Sequence, residues 1–388
     1  GLRRSGKSYL LNRIFYRYLE SEGVNDDHII MLQFDVEENE YLLDRHVLAN
    51  HIRSRISDDG WYYLLLDEIQ NVEGWHLFVN RLLRKRIHVV VTGSNARLLS
   101  SELATHLTGR HNPIELYPFS FAEFCACKGL DTETLTTSSE AARRAAFDEY
   151  LMQGGFPETV FEKSNMQYVG HLVESIIHRD IQQRYKIRYF AAFERMANHL
   201  MNIAPTIVSP TDLTTTFGFG TPQTTNNYIK FLQQAYLLME LGKFSSKSKI
   251  RVTDKKIYTV DVALMDKRPE AFVGDNFGWR LETIVFLELR RRTKVMGCDM
   301  YYYKKHPRAK EVDFVVCKGN RVMQMYQVAY DLTSAKTRKR EIDSLVQASS
   351  VTKCKEMFLI TDCERETVQL GEDVVQIIPA YEWLLQPY

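Results

Sequence analysis

Gly1-Leu-Arg-Arg-Ser-Gly6-Lys7-Ser8 fits G-x-x-x-x-G-K-[ST], the pattern of a phosphate-cradling P-loop. The two glycines let the backbone turn so that successive N–H groups face an anion. Lys7 brings a mobile positive charge to the β- and γ-phosphates, and Ser8 brings a hydroxyl for Mg²⁺. Residues 8–20 read as the helix that follows, its positive end turned toward the phosphates, with Leu11, Ile14, Phe15 and Tyr18 on one face. Gly1, Arg4, Ser5, Gly6, Lys7 and Ser8 are the expected nucleotide-binding residues, with Arg3 and Arg4 flanking the phosphates. A P-loop ordinarily follows a buried strand. Nothing precedes Gly1 here and there is no initiator Met, so the sequence reads as cropped after its first strand.

Working outward, His28–Asp35 is a short apolar run of buried-strand type, and Leu42, Leu43, Val47, Leu48 and Ile52 follow at helical spacing. Trp61-Tyr-Tyr-Leu-Leu-Leu-Asp67-Glu68 is a second such run, ending in two acids. An isolated acidic pair reads as a solvated strand end. Behind four apolar residues and downstream of a P-loop, the pair reads as functional: ligands of open α/β sheets bind at the carboxyl edge of the strands. Asp67 is then the expected Mg²⁺ ligand through water, and Glu68 the residue that orients and deprotonates the attacking water. After a helix around 74–86, Ile87–Asn95 is a third buried strand ending in polar residues. Asn95, with Ser94 second, is the expected polar side chain near the γ-phosphate, and Asn95 also suits the N-cap of a helix over 96–103. Alternating strands and helices at this spacing imply a parallel sheet with right-handed crossovers.

These stretches, with others further on, resemble the AAA-type P-loop ATPases of bacteria and archaea that carry a C-terminal domain related to restriction endonucleases. The matching segments are GLRRSGKS, LLLDEIQ, VVVTGSN, LTGR (107–110), YPFSFAEF (117–124), QGGFPE (153–158), IYTVDVAL (257–264) and EVDFVV (311–316). The resemblance implies ATP and Mg²⁺ as cofactors and Arg110 as an arginine finger, a role that suits a guanidinium facing γ-phosphoryl charge. The alternative for Arg110 is a surface arginine after a Gly turn. Action within its own subunit and action on a neighbour are both open, the second requiring a homo-oligomer.

The expected architecture is α/β: a P-loop parallel-sheet ATPase core over 1–130, a helical lid over 131–204, a winged-helix-like domain over 205–265 and a restriction-endonuclease-like domain over 266–388. The lid rests on helices near 140–152, 167–187 and 190–203, where Arg179, Arg184 and Arg188 give no basis for choosing a nucleotide sensor. In the winged-helix-like part, Ser209-Pro210 and Thr221-Pro222 each start a short helix. DNA is the candidate partner there, through Thr224, Thr225, Asn226, Asn227 and Lys230 and a basic hairpin of Lys243, Lys247, Lys249, Arg251, Lys255 and Lys256. The competing reading, a packing spacer with solvated lysines, is favoured by the net charge of +1.

In the last domain the order of a helix at 278–290, three strands, a helix near 336–347 and a strand resembles the PD-(D/E)xK nuclease core. Its chemistry needs one Asp, then a carboxylate and a lysine two residues apart on the next strand. Asp313 supplies the first, but the next strand reads Gln327-Val328-Ala329, and Glu282, Glu288 and Glu311 do not restore the pair. No nuclease activity is expected. Recognition or assembly is the expected role, with Asp313 a structural acid.

Composition agrees with this division. The 388 residues exceed one ordinary core, and 45% hydrophobic with 26% charged residues is a globular profile. No apolar run reaches the ~20 residues that span a bilayer, so no membrane partner is expected. The six cysteines form no C-x-x-C pair, which argues for reduced thiols and a cytoplasmic location. The leading expectation is an ATP-dependent switch or motor acting on an unidentified protein client. A nucleic-acid-binding module with a structural nucleotide is the alternative.

Overall fold

Three parallel strands carry the first part of the chain: β1 (Ile29–Gln33), β2 (Tyr62–Asp67) and β3 (Ile87–Val91), in the order β1-β2-β3. This computed structural model describes residues 1–83, 86–94, 111–134, 136–162, 167–245, 255–265, 276–306 and 309–387. By contacts these fall into two units, Gly1–Tyr117 with Gln234–Tyr236, and Pro118–Gln233 with Leu237–Tyr388.

In the first unit β2 is buried on both faces, whereas β3, expected as a buried strand, buries only Ile87 fully: His88 is exposed and Val89–Val91 are half-buried, as an edge strand allows. Ile30, Leu32, Leu64 and Leu66 pack with Leu48 and Ile52 of α2 (Arg45–Arg55) and with Trp75, Phe78 and Val79 of α3 (Trp75–Leu82). On the opposite face Ile29 and Leu65 pack with Leu11 and Leu19. Those two leucines belong to α1, a continuous helical run of Lys7–Tyr9, a π-helical stretch Leu10–Phe15 and Tyr16–Ser21. The expected apolar face of this helix is only half right. Leu11 is buried and Phe15 packs against the core, but Ile14 and Tyr18 are each 53% exposed. The π-helical stretch takes more than 3.6 residues per turn, which rotates the inward stripe onto Leu11, Phe15 and Leu19.

The second unit holds a six-stranded sheet of order β11-β12-β10-β9-β8-β7. It comprises β7 (Asp299–Lys304), β8 (Glu311–Lys318), β9 (Arg321–Val328), β10 (Met357–Thr361), β11 (Glu366–Leu370) and β12 (Asp373–Pro379). β7, β8 and β9 form an antiparallel meander, while β9, β10 and β12 run parallel. Two long helices cover the faces. Leu345 and Ala348 of one, Ala335–Thr352, pack on Met325, Leu359 and Val375; Ile284, Val285 and Phe286 of the other, Phe277–Met296, pack on Phe314, Tyr326 and Ile360. The hairpin β11–β12 and the short helix Ala380–Trp383 are additions to the expected pattern.

The core under Phe277–Met296 reaches back along the chain. Phe121 and Phe124 of the helix Phe121–Cys127, and Phe147, Tyr150 and Leu151 of the helix Thr137–Gln153, are buried in it. The segment after Tyr117 thus packs within the second unit. Ser120 and Glu123 start its first helix with a reciprocal capping box. A three-stranded antiparallel sheet joins β4 (Thr206–Ile207), β6 (Lys255–Thr259) and β5 (Leu238–Gly242), in that order. Helices Pro210–Phe217 and Pro222–Gln234 lie between β4 and β5 in sequence, capped by the Ser209 and Thr221 hydroxyls as their residue types predict.

Candidate functional site

At the start of the first unit, Arg4 (φ 64°) and Gly6 (φ 90°) both take the left-handed conformation. The alternation turns successive main-chain N–H groups to one side, the geometry of an anion nest. For Arg4 this costs on the order of 1–2 kcal/mol, and such strain concentrates at functional sites. The two motif glycines do different work. Gly6 supplies the positive φ, whereas a Cβ on Gly1 would lie 2.2 Å from the Leu116 carbonyl oxygen, so Gly1 is needed for close approach. Lys7 Nζ donates to Leu2 O at 2.7 Å and Ser5 Oγ donates to the same oxygen at 2.9 Å. Ser8 is exposed.

The P-loop helix is tied directly to the end of β2. Asn12 Nδ2 donates to Asp67 Oδ2 at 3.1 Å, and Asp67 is 1% exposed. From β3's end, Thr92 Oγ1 donates to Asp67 Oδ1 and accepts from the Glu68 N–H at 3.1 Å. Glu68 stands in the left-handed region at φ 51°, and Gln70 Nε2 donates to its carboxylate. A third acid adjoins the pair. Partial burial, then Asp67 and Glu68, push the Asp35 carboxyl above its usual range, while Arg3 pulls it down.

Three buried polar atoms around these groups have no hydrogen-bond partner among the described residues: Ser94 Oγ, Asn12 Oδ1 and Gln70 Oε1. Ser94 is 3% exposed. Orphaned atoms beside fixed carboxylates and an anion nest are what a magnesium–nucleotide would satisfy, so the residues present fit that group. Asn95, Arg110 and the whole LTGR segment lie outside the described residues. Sequence reading missed Asn12, Thr92, Asp35 and Gln70. Position signals the first two, one helical turn after Ser8 and just before Ser94; Asp35 was legible as a strand-end acid beside the Asp67 strand.

In the second unit the expected DNA-facing residues divide. Asn227 and Lys230 are exposed and Thr224 and Asn226 half-buried, but Thr225 is fully buried, its hydroxyl 2.6 Å from that of Thr214. Lys255 pairs with Glu240 but stays partly exposed, whereas Lys256 is 5% exposed and faces acids, so it is not a solvated wing cation. Lys247, Lys249 and Arg251 lie outside the described residues. At the nuclease-like position, Gln327 Oε1 accepts from the Asp313 N–H at 3.2 Å, and Gln327 Nε2 donates to Glu341 at 2.9 Å. Asp313 in turn accepts from the Val328 N–H at 2.9 Å. The amide that replaces the expected carboxylate is a structural bridge. Among the described residues no helix is long and apolar enough to cross a membrane.

Comparison with known proteins matches residues 1–125 to the family described as an AAA domain. Residues 144–268 match a domain of unknown function (DUF8612), and residues 277–383 another (DUF4143). An uncharacterized protein of Haemophilus influenzae is 31% identical over 396 residues, spanning 100% of this chain and 93% of that protein. An uncharacterized protein of Methanocaldococcus jannaschii is 30% identical over 403 residues, spanning 99% and 87%.

Proposed function

We propose, from the premise that this chain belongs to the family pairing an N-terminal AAA domain with a C-terminal domain of unknown function DUF4143, that it is a magnesium-dependent ATPase working as a switch or motor on a protein client. One observation carries the reading: Asp67 is buried and fixed from both sides by Asn12 and Thr92, while Ser94, two residues beyond Thr92, keeps a buried hydroxyl with no partner among the described residues. Glu68 follows Asp67 and has its N–H held by the same Thr92.

In this reading the loop from Gly1 to Gly6 and the Lys7 ammonium receive the phosphates, with Arg4 and Ser5 shaping the loop. Ser8 and Asp67 hold Mg²⁺, which supplies charge neutralisation of the phosphates when bound. Glu68 orients the attacking water and accepts its proton. Ser94 shares the γ-phosphate contact with Asn95, the orphaned hydroxyl favouring Ser94, and Arg110 serves as the arginine finger. The element order β4, two helices and an antiparallel hairpin supports a winged-helix-like spacer. The buried Thr225 and Lys256 weigh against a basic DNA-reading surface there. The order of helix, three strands, helix and strand supports a nuclease-like domain, and Gln327 with Ala329 weighs against cleavage.

Equilibrium ATP binding with and without Mg²⁺, for the wild type and Lys7→Ala, tests the nucleotide site. Binding weakened at least about tenfold by Lys7→Ala supports it. A wild type that does not bind ATP overturns it.

A further inference from the structure

Lys256, on β6, ends among three carboxylates. Its Nζ lies 2.6 Å from Glu282, 2.8 Å from Glu311 and 3.6 Å from Asp313. Glu282 comes from the helix Phe277–Met296, and Glu311 and Asp313 stand two residues apart on β8, so they share one face of the strand. Tyr258, also on β6, donates its hydroxyl to Glu282 at 2.8 Å. The three acids form part of the wall of a cleft of about 430 Å³, which Trp279, Lys310 and Arg340 also line.

We propose that Lys256 is a tethered cation occupying the position of a divalent metal, and that the strand carrying it keeps this cleft closed to metal. A buried ammonium is costly unless paired and hydrogen-bonded, and here the pairing comes from three carboxylates rather than one. Three carboxylates on the wall of an open cleft are hard-oxygen donors of the kind that take Mg²⁺ or Ca²⁺, yet with the lysine among them no group of three acids among the described residues is placed to hold a metal ion. The ammonium satisfies that set with no coordination position left for water, so it supplies charge without Lewis acidity. A second ammonium stands beside the cluster, Lys304 Nζ lying 3.5 Å from Glu311. The lysine lies in the segment matching DUF8612 and the acids in the segment matching DUF4143, so the plug reaches across the boundary between the two matches.

The test is a Tb³⁺ titration read by luminescence sensitised through Tyr258 and Trp279. All proteins carry Asp67→Asn, so that the first unit contributes no acid at that position. The parent should show no saturable site in this cleft. Lys256→Ala should gain a saturable site, at least about tenfold tighter than any residual Tb³⁺ binding of the parent, and Glu311→Gln with Asp313→Asn in the same chain should abolish it. Melting with added Ca²⁺ is the second readout: the midpoint of Lys256→Ala should rise with Ca²⁺ while the parent's does not. If Lys256→Ala is too unstable to isolate, Lys256→Met with Glu311→Gln removes one charge of each sign and should still gain a weaker Ca²⁺-dependent shift. Two results overturn the proposal. One is a folded lysine variant with no divalent binding. The other is a parent that already binds Tb³⁺ through Glu282 and loses it on Lys256→Met, which would make the lysine a neighbour of a metal and not its substitute.

Discussion

The Gly155 N–H donates to Asp261 Oδ2 at 2.9 Å, joining two segments 106 residues apart. The other carboxylate oxygen of Asp261 accepts the Ala263 N–H at 2.8 Å, and a Cβ on Gly154 would lie 1.8 Å from it. On the far side, a Cβ on Gly155 would meet the Phe119 carbonyl oxygen at 2.2 Å. Three of the segments that carried the family resemblance, YPFSFAEF, QGGFPE and IYTVDVAL, therefore meet here as one packing joint.

Gly154→Ala should be severely destabilising. The residue holds φ 73°, and the added methyl would run into a buried carboxylate. A loss of about 3 kcal/mol or more is expected from chemical denaturation followed by a probe in the second unit. A loss under about 1 kcal/mol would mean that the joint relaxes freely.

The same joint should tune stability with pH. Burial raises the Asp261 carboxyl from 3.8 to about 6, against the opposing hydrogen bonds from Gly155 and Ala263 and the charges of Arg291 and Arg280. The folded state then holds a proton that the unfolded state has released, so this contribution is complete below pH 4 and is lost as pH rises through about 6. Its size is on the order of 3 kcal/mol. The difference in unfolding free energy between wild type and Asp261→Asn should therefore fall between pH 4 and pH 6 and level off above. A difference that is flat with pH would contradict the buried-acid account.

Thr92→Val should separate chemistry from binding. It removes the hydroxyl that reaches both Asp67 and the Glu68 N–H. We expect kcat for ATP to fall roughly 10–100-fold, as for loss of an outer-shell partner, with ATP affinity changed by less than about threefold.

Ser94→Ala should have opposite effects on stability and turnover. Removing a buried hydroxyl that has no partner among the described residues should leave the nucleotide-free protein as stable or up to about 1 kcal/mol more stable. Turnover should fall about tenfold or more if the hydroxyl meets the γ-phosphate.

The parallel sheet was legible because buried strands read as unbroken apolar runs, and Leu64-Leu65-Leu66 before Asp67 is such a run. The P-loop pattern marked Gly6 for the right reason and Gly1 for the wrong one, since close approach to Leu116 is a tertiary fact. Periodicity alone misplaced Ile14 and Tyr18 because it assumes 3.6 residues per turn, and the π-helical stretch at Leu10–Phe15 breaks that assumption. Lys256 was read as a wing cation because its acids lie 26, 55 and 57 positions away, beyond any local pattern. At the candidate site the acids could be read from their strand ends, whereas the side chains that fix them, Asn12 and Thr92, act across elements.

We propose that Glu68 activates water for ATP hydrolysis at the site built by Lys7 and Asp67. The most direct test measures steady-state ATP turnover of the wild type and Glu68→Gln, with equilibrium ATP binding on the same samples. Turnover lowered at least about 100-fold, with binding retained within about threefold, is the expected result. Glu68→Gln hydrolysing ATP at the wild-type rate would contradict it.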